Sequence, residues 1–322
     1  MTGSLPPLTR RVALGRGVLC AALGLGLGLL SGLGAVGCAH DPTPTHVTVS
    51  EIDSAAEGRP MRYALYTPPG WDGQTPLPLV VLLHGGGDDE RVLLEHPEVA
   101  AQLDAWIDAD RLPPFLMVAP DGEFGFWVNW HDGSHAYEDW VLKDVIQDVS
   151  ARFPVADGRA NRHVIGPSMG GAGTLFFALR HRDMFASATV VSAPIFDADM
   201  TVKFLKRARA FGIPTRKVWG PVDEAAIARD NPFAQFASRE DLRGLRLSVV
   251  VGSKDRRFVK GLSTQFHEHL ATHEVPHDWI VYDGKHRWVD WAPVLPVALC
   301  RQLRGEDCEL PPDPTYRLET VR

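Results

Sequence analysis

The sequence predicts an α/β fold, a mostly parallel sheet covered by helices on both faces. Three observations carry this prediction. Residues 77–83, 115–119, 188–192 and 245–251 are short apolar runs, as expected of strands buried on both sides. Segments of helical period lie between them, for example Tyr137, Trp140, Val141, Val145 and Val149, and strands alternating with helices form parallel sheets. No linker, repeat or low-complexity segment interrupts residues 47–303, so one domain is expected over 47–310, followed by a tail at 311–322.

The first 37 residues stand apart from that domain. Thr9-Arg10-Arg11 and Arg16 precede a Leu/Gly/Ala stretch without charge at 17–37, a positive region followed by an apolar one, as in an export signal. The stretch ends in Leu33-Gly34-Ala35-Val36-Gly37-Cys38, which resembles a bacterial lipobox, with alanine at position 35 where leucine is more usual. On this reading 1–37 is a signal peptide, Cys38 carries the lipid, and 38–46 tethers the domain to a membrane of the cell envelope. An ordinary secretory signal and an uncleaved anchor are the alternatives. The stretch is long enough to span a bilayer, but its glycines make it a poor anchor. All three readings export the domain, and Arg10-Arg11 is compatible with a twin-arginine route.

Within the domain, 46–52 and 61–67 alternate as strands do, with a Gly58-Arg59-Pro60 turn between them, which predicts an antiparallel pair at the sheet edge. The strand at 77–83 leads into His84-Gly85-Gly86-Gly87, and a helix follows at 99–109. The strand at 115–119 ends in Pro120-Asp121-Gly122, then comes an aromatic-rich loop at 124–135. Residues 194–243 break the rhythm with charged helical pieces and a Trp219-Gly220-Pro221 turn, and read as a lid or substrate-side insertion. A strand at 245–251, a helix at 258–272, a strand at 279–282 and a helix at 288–303 complete the chain. In an oxidising compartment, Cys300 and Cys308 are expected to form a disulfide that closes the last helix onto the tail. Two free thiols are the alternative.

The chemistry concentrates where strands end, which is where such sheets bind ligands. Residues 162–165 read as a strand, Gly166-Pro167-Ser168-Met169-Gly170 as a sharp turn, and 172–180 as a helix. That context turns a common pentapeptide into a nucleophile elbow, with small residues two before and two after the serine. Ser168 needs a base to take its proton and an acid to orient that base. His286 follows the last of these strands, and Asp255 follows the preceding one at a Gly252 turn; Asp283 and Asp290 are rivals for the acid. The N–H of Met169 and one from the glycine turn, Gly86 before Gly85, are the expected donors to a developing oxyanion. Trp127, Trp130 and His131 follow a strand's carboxyl end and are expected to line the substrate pocket, with loop packing as the alternative.

Composition narrows the field further. The formal net charge is −7 with 23% charged residues, and there is no basic stripe, which argues against nucleic acid. His267, His269, His273 and His277 recur at irregular spacing without a cysteine or compact carboxylate cluster, and read as a solvated face rather than a metal site. Neither metal nor organic cofactor is expected.

These stretches, together with Tyr137-Glu138-Asp139-Trp140 and Gly284-Lys285-His286-Arg287-Trp288, run in an order that resembles the putative-esterase family of α/β-hydrolases. That family includes feruloyl and enterochelin esterases, S-formylglutathione hydrolase and the antigen 85 mycolyltransferases. The resemblance covers about residues 47–303 and implies that Ser168, Asp255 and His286 form a triad. Pro167 departs from the usual pattern, and should hold Gly166 extended. The expected function is a serine esterase, feruloyl-esterase-like or a general carboxylesterase, acting on a small-molecule or glycan-linked ester. The cytoplasmic S-formylglutathione role conflicts with the export signal. The alternatives are an acyltransferase to an envelope acceptor, a serine peptidase, and a non-catalytic glycan- or lipid-binding envelope protein.

Overall fold

A computed structural model describes residues 46–310 and 312–322. The signal peptide, Cys38 and all of the tether except His46 lie outside the described residues. Nine strands form a single sheet: β1 (Val47–Ser54), β2 (Arg59–Tyr66), β3 (Leu79–Leu82), β4 (Leu116–Pro120), β5 (Arg162–Pro167), β6 (Ser187–Val191), β7 (Arg246–Gly252), β8 (His277–Tyr282) and β9 (Tyr316–Val321), in the order β1-β2-β4-β3-β5-β6-β7-β8-β9. The six central strands from β4 to β8 are parallel, and antiparallel β1-β2 and β9 complete the two edges.

Alternation within the strands builds two cores. Leu79 and Val81 of β3 face one core, Val80 and Leu82 the other. The first core is covered by residues 137–152, Met169–Arg180 and Arg257–Thr272, the second by Pro97–Asp108 and Leu295–Arg304. The apolar runs are continuous in the sequence because both faces are covered.

Three expectations are corrected. Residues 311–322 are not a plain tail, because Tyr316–Val321 pairs with β8 as an edge strand, with Leu318 opposite Ile280. Its Tyr316 and Leu318 lean on the second core while Arg317 between them faces outward. The last helix is two pieces, Trp288–Trp291 and Leu295–Arg304, with Pro296 in the first turn of the second, where proline costs no hydrogen bond. The histidines do not form a solvated face. His277 is buried, His267 stacks on Trp279 at 4.5 Å and meets His277 Nε2 with its Nδ1 at 2.8 Å, His269 reaches Phe236 O at 3.0 Å, and only His273 is exposed. An imidazole packs as a flat apolar ring when its polar atoms find partners, and the partners here come from distant segments. Among the described residues no group of three or more His, Cys, Asp or Glu is placed to hold a metal ion, and no helix is long and apolar enough to cross a membrane. Cys300 and Cys308 are joined by a disulfide.

Candidate active site

Ser168 lies between β5 and the helix Met169–Arg180 with φ 56° and ψ −116°, a conformation that side-chain-bearing residues rarely adopt. The turn is tight enough to demand its glycines. A Cβ on Gly170 would lie 1.8 Å from Leu83 O, and one on Gly166 would lie 2.6 Å from the Gly170 backbone. The Ser168 N–H is tied to Val191 O at 2.9 Å, so neighbouring β6 holds the elbow in place.

His286 comes from the loop after β8 and meets Ser168 Oγ with its Nε2 at 2.9 Å. Its Nδ1 lies 2.9 Å from Asp255 Oδ1, and both side chains are nearly enclosed. Burial alone would raise the Asp255 carboxyl, but the hydrogen bond and charge of His286 and the Arg256 N–H at 2.6 Å hold it below the usual carboxylate range. Asp255 Oδ2 is buried beside Ser192 without a hydrogen bond of normal geometry. Such an arrangement lets an imidazole take the serine proton while a fixed carboxylate steadies the resulting cation. Asp283 is occupied by Ser253 and Lys254, and Asp290 by Arg287 and the Lys285 N–H, so neither rival reaches His286.

Met169 is the first residue of its helix, where N–H groups have no intrahelical partner. Gly86 faces the same cavity as Ser168 and Met169; Gly85 lies against the serine, since a Cβ there would be 3.6 Å from Ser168 Cβ. The turn is braced by fully buried His84. Its Nε2 accepts the Gly122 N–H at 2.9 Å, so its proton sits on Nδ1, which donates to Gly85 O at 2.8 Å. Burial lowers its pKa and keeps it neutral. In a trans peptide the C=O and N–H point in opposite directions, so pinning Gly85 O turns the Gly86 N–H away from His84.

The pocket residues chosen from the sequence are corrected. Trp127 is fully buried, with its indole N–H on His84 O and its ring edge-on to His84; it braces the turn and is not part of the wall of the cavity beside Ser168. Trp130 donates to Gly125 O and packs on His135 and Tyr137, while His131 is exposed beside Gly220. A cavity of about 680 Å³ does open beside Ser168, and its aromatic walls are Phe124 and Phe126 of the loop, Phe176, and Phe196, Phe204 and Trp219 of the 194–243 segment, with Phe258 at its edge. Also missed were Ser192, Tyr282 and Trp291, which form a buried hydrogen-bonded cluster under the histidine, with Ser192 Oγ 3.0 Å from Tyr282 Oη and 3.3 Å from Trp291 Nε1. Trp291 also sets its ring edge-on to His286 at 5.0 Å. Nothing in the local sequence singles them out, because each has its partner on a different element.

A parallel sheet with a serine at the β5 elbow and a histidine and an aspartate after β8 and β7 defines an α/β-hydrolase. The chain belongs to the putative-esterase family, whose model matches residues 54–301. It is similar to the esterase Rv1288 of Mycobacterium tuberculosis, at 26% identity over 65% of this chain and 48% of that protein, so the chain spans about half the length of the curated relatives it matches. Among solved structures it is similar to a ferulic acid esterase (TM-score 0.67, 19% identity, 80% of this chain and 97% of the other). A second is FphF, a fluorophosphonate-binding serine hydrolase of Staphylococcus aureus (0.65, 22%, 80% and 98%), and a third is MPT51 of Mycobacterium tuberculosis (0.60, 17%, 79% and 98%). At these identities the structural likeness speaks for the fold.

Proposed function

We propose that this chain is a serine carboxylesterase working through an acyl-enzyme. The observation that carries the reading is the continuous chain Ser168 Oγ, His286, Asp255, with both links at 2.9 Å. Ser168 attacks the ester carbonyl as His286 takes its proton, and Asp255 stabilises the imidazolium. The N–H groups of Met169 and Gly86 receive the oxyanion. His286 then protonates the leaving alcohol, and afterwards activates water to release the acid. The groups that carry these steps belong to the chain itself.

The test is hydrolysis of p-nitrophenyl acetate and labelling by a fluorophosphonate, with protein that begins at Ala39. Wild type should turn over and be labelled, and Ser168→Ala should lose labelling and roughly 10⁴-fold or more of its kcat. A folded wild type that neither reacts nor hydrolyses would sink the reading in favour of a ligand-binding role. Activity that appears only with an added alcohol acceptor would favour an acyltransferase, and amide turnover a peptidase.

The envelope location is a companion proposal supported by the sequence of residues 1–38. In cells fed an alkyne-bearing fatty acid, the wild-type protein should acquire the tag and Cys38→Ala should not. Equal tagging of both would remove the lipid anchor from the account.

A further inference from the structure

We propose that the cavity beside Ser168 takes the acyl part of the substrate, and that this acyl part is an unbranched aliphatic chain of medium length rather than a short acyl or a hydroxycinnamoyl group. The inference rests on the esterase reading only for where the chain's carbonyl sits.

The helix Ala198–Arg207 presents Thr201, Phe204 and Leu205 to the cavity, three residues at helical spacing, with Lys203, Lys206 and Arg207 elsewhere on its surface. No residue of this helix is buried, and neither is any of Glu224–Asp230, which offers Ala226 and Ile227 to the same space. Amphipathic helices normally bury their apolar stripe against a core. These two turn theirs to a cavity that runs to the nucleophile, and an apolar ligand seated there removes that surface from water. At about 30 Å³ per water-sized group, the 680 Å³ space has room for roughly twenty such groups, far beyond an acetyl or formyl group.

Most polar groups in the walls bond within the protein. Thr201 Oγ1 donates to Asp197 O, Asp223 accepts from the Ala226 N–H, and Asp230 holds the fork of Arg229. Asn231 makes four hydrogen bonds to backbone atoms, and Arg180 pairs with Glu138. Among the described lining residues that leaves the Arg256 guanidinium, next to Asp255 on the site's own loop, and the indole N–H of Trp219. A phenolic hydroxyl carried deep into this space would exchange its full hydration for few partners, whereas a methylene chain needs none.

Two measurements test this together. The first is kcat/KM for p-nitrophenyl esters from acetate to palmitate, with methyl ferulate alongside. Each methylene up to about decanoate should raise kcat/KM about three- to fourfold, the worth of one buried CH₂, until the cavity is filled. In Phe204→Glu and Ile227→Glu, both on helices without buried residues, the decanoate-to-acetate ratio should fall at least tenfold, with folding checked by circular dichroism. The second is displacement of the fluorescent fatty acid cis-parinarate from Ser168→Ala, which decanoate should achieve and ferulate should not. Best turnover with acetate or methyl ferulate, together with no fatty-acid binding, would overturn the inference and leave the esterase standing. Decanoate binding by a protein that hydrolyses no ester would do the reverse.

Discussion

At the scale of single residues, space decides which glycines are fixed. Gly170 cannot gain a methyl group, because the obstacle 1.8 Å away is the Leu83 carbonyl, part of the backbone of the next strand connection. Gly86 faces only the ring of Phe124 at 2.8 Å, and Phe124 is half exposed and can swing away. Gly170→Ala should therefore fail to accumulate as folded protein, whereas Gly86→Ala should fold with a near-native melting temperature; the reverse order in thermal melts would show that the elbow is looser than these distances imply. His84 acts through another group. Replacing it by leucine frees Gly85 O and with it the orientation of the Gly86 N–H, so kcat should fall by about ten- to a hundredfold, part of what losing an oxyanion donor costs. KM should change little, and His84→Asn, whose amide can reach the same carbonyl, should recover part of the rate. An increase in KM alone would mark His84 as a mere packing residue.

At the scale of elements, β5 carries a pH dependence into the stability of the sheet. His163 is buried with its Nδ1 2.7 Å from Ser187 Oγ on β6, and burial with the nearby Arg246 charge pushes its pKa from 6.5 down to about 3. Below pH 6.5 the unfolded chain binds a proton there that the native chain refuses. Stability is therefore full above 6.5 and falls as the pH drops towards 3, at up to about 1.4 kcal/mol per pH unit for this one group. Urea denaturation between pH 7 and 4 should show a steeper decline in wild type than in His163→Gln, and parallel curves would sink the assignment. Towards the β9 edge, the disulfide between Cys300 and Cys308 closes a short loop in the segment that leads to β9, so its removal by Cys300→Ala with Cys308→Ala should cost roughly 2–3 kcal/mol. These elements differ in how plainly the sequence reveals them. The strands β3 and β7 are legible because burial on both faces leaves nothing but apolar residues in them. The edge strand β9 is half exposed and follows Pro311-Pro312-Asp313-Pro314, so local propensity argues for a tail, and only pairing with β8 reveals it. Ser168, Asp255 and His286 are legible because each lies within a few residues of the carboxyl end of its own strand. Trp127 is misread because an indole in a loop looks the same whether it lines a cavity or fills a core. What decides is Gly173, whose absent side chain makes room for the ring from a different element, since a Cβ there would lie 2.6 Å from it.

At the scale of the whole domain, stability is unevenly distributed, and the uneven part is the wall of the proposed acyl site. The sheet and its covering helices bury their apolar residues in two cores, whereas Ala198–Arg207 and Glu224–Asp230 bury none. The segment returns to the core at Phe236, which is fully buried near Phe266 and under the Arg182 guanidinium. Segments with few buried contacts open at a small fraction of the global unfolding free energy, and trypsin cuts what opens. The stretch from 198 to 217 offers it Lys203, Lys206, Arg207, Arg209, Arg216 and Lys217. Brief digestion should therefore nick this stretch first, while residues 246–304 stay intact. A ligand that covers the apolar faces of the two helices stabilises them by mass action, so decanoate at saturating concentration should slow those cuts in Ser168→Ala, and ferulate should not. First cleavage within Met169–Arg180 or Arg257–Thr272 would mean that the insertion is as firmly held as the sheet, and that its apolar faces need no ligand to stay in place.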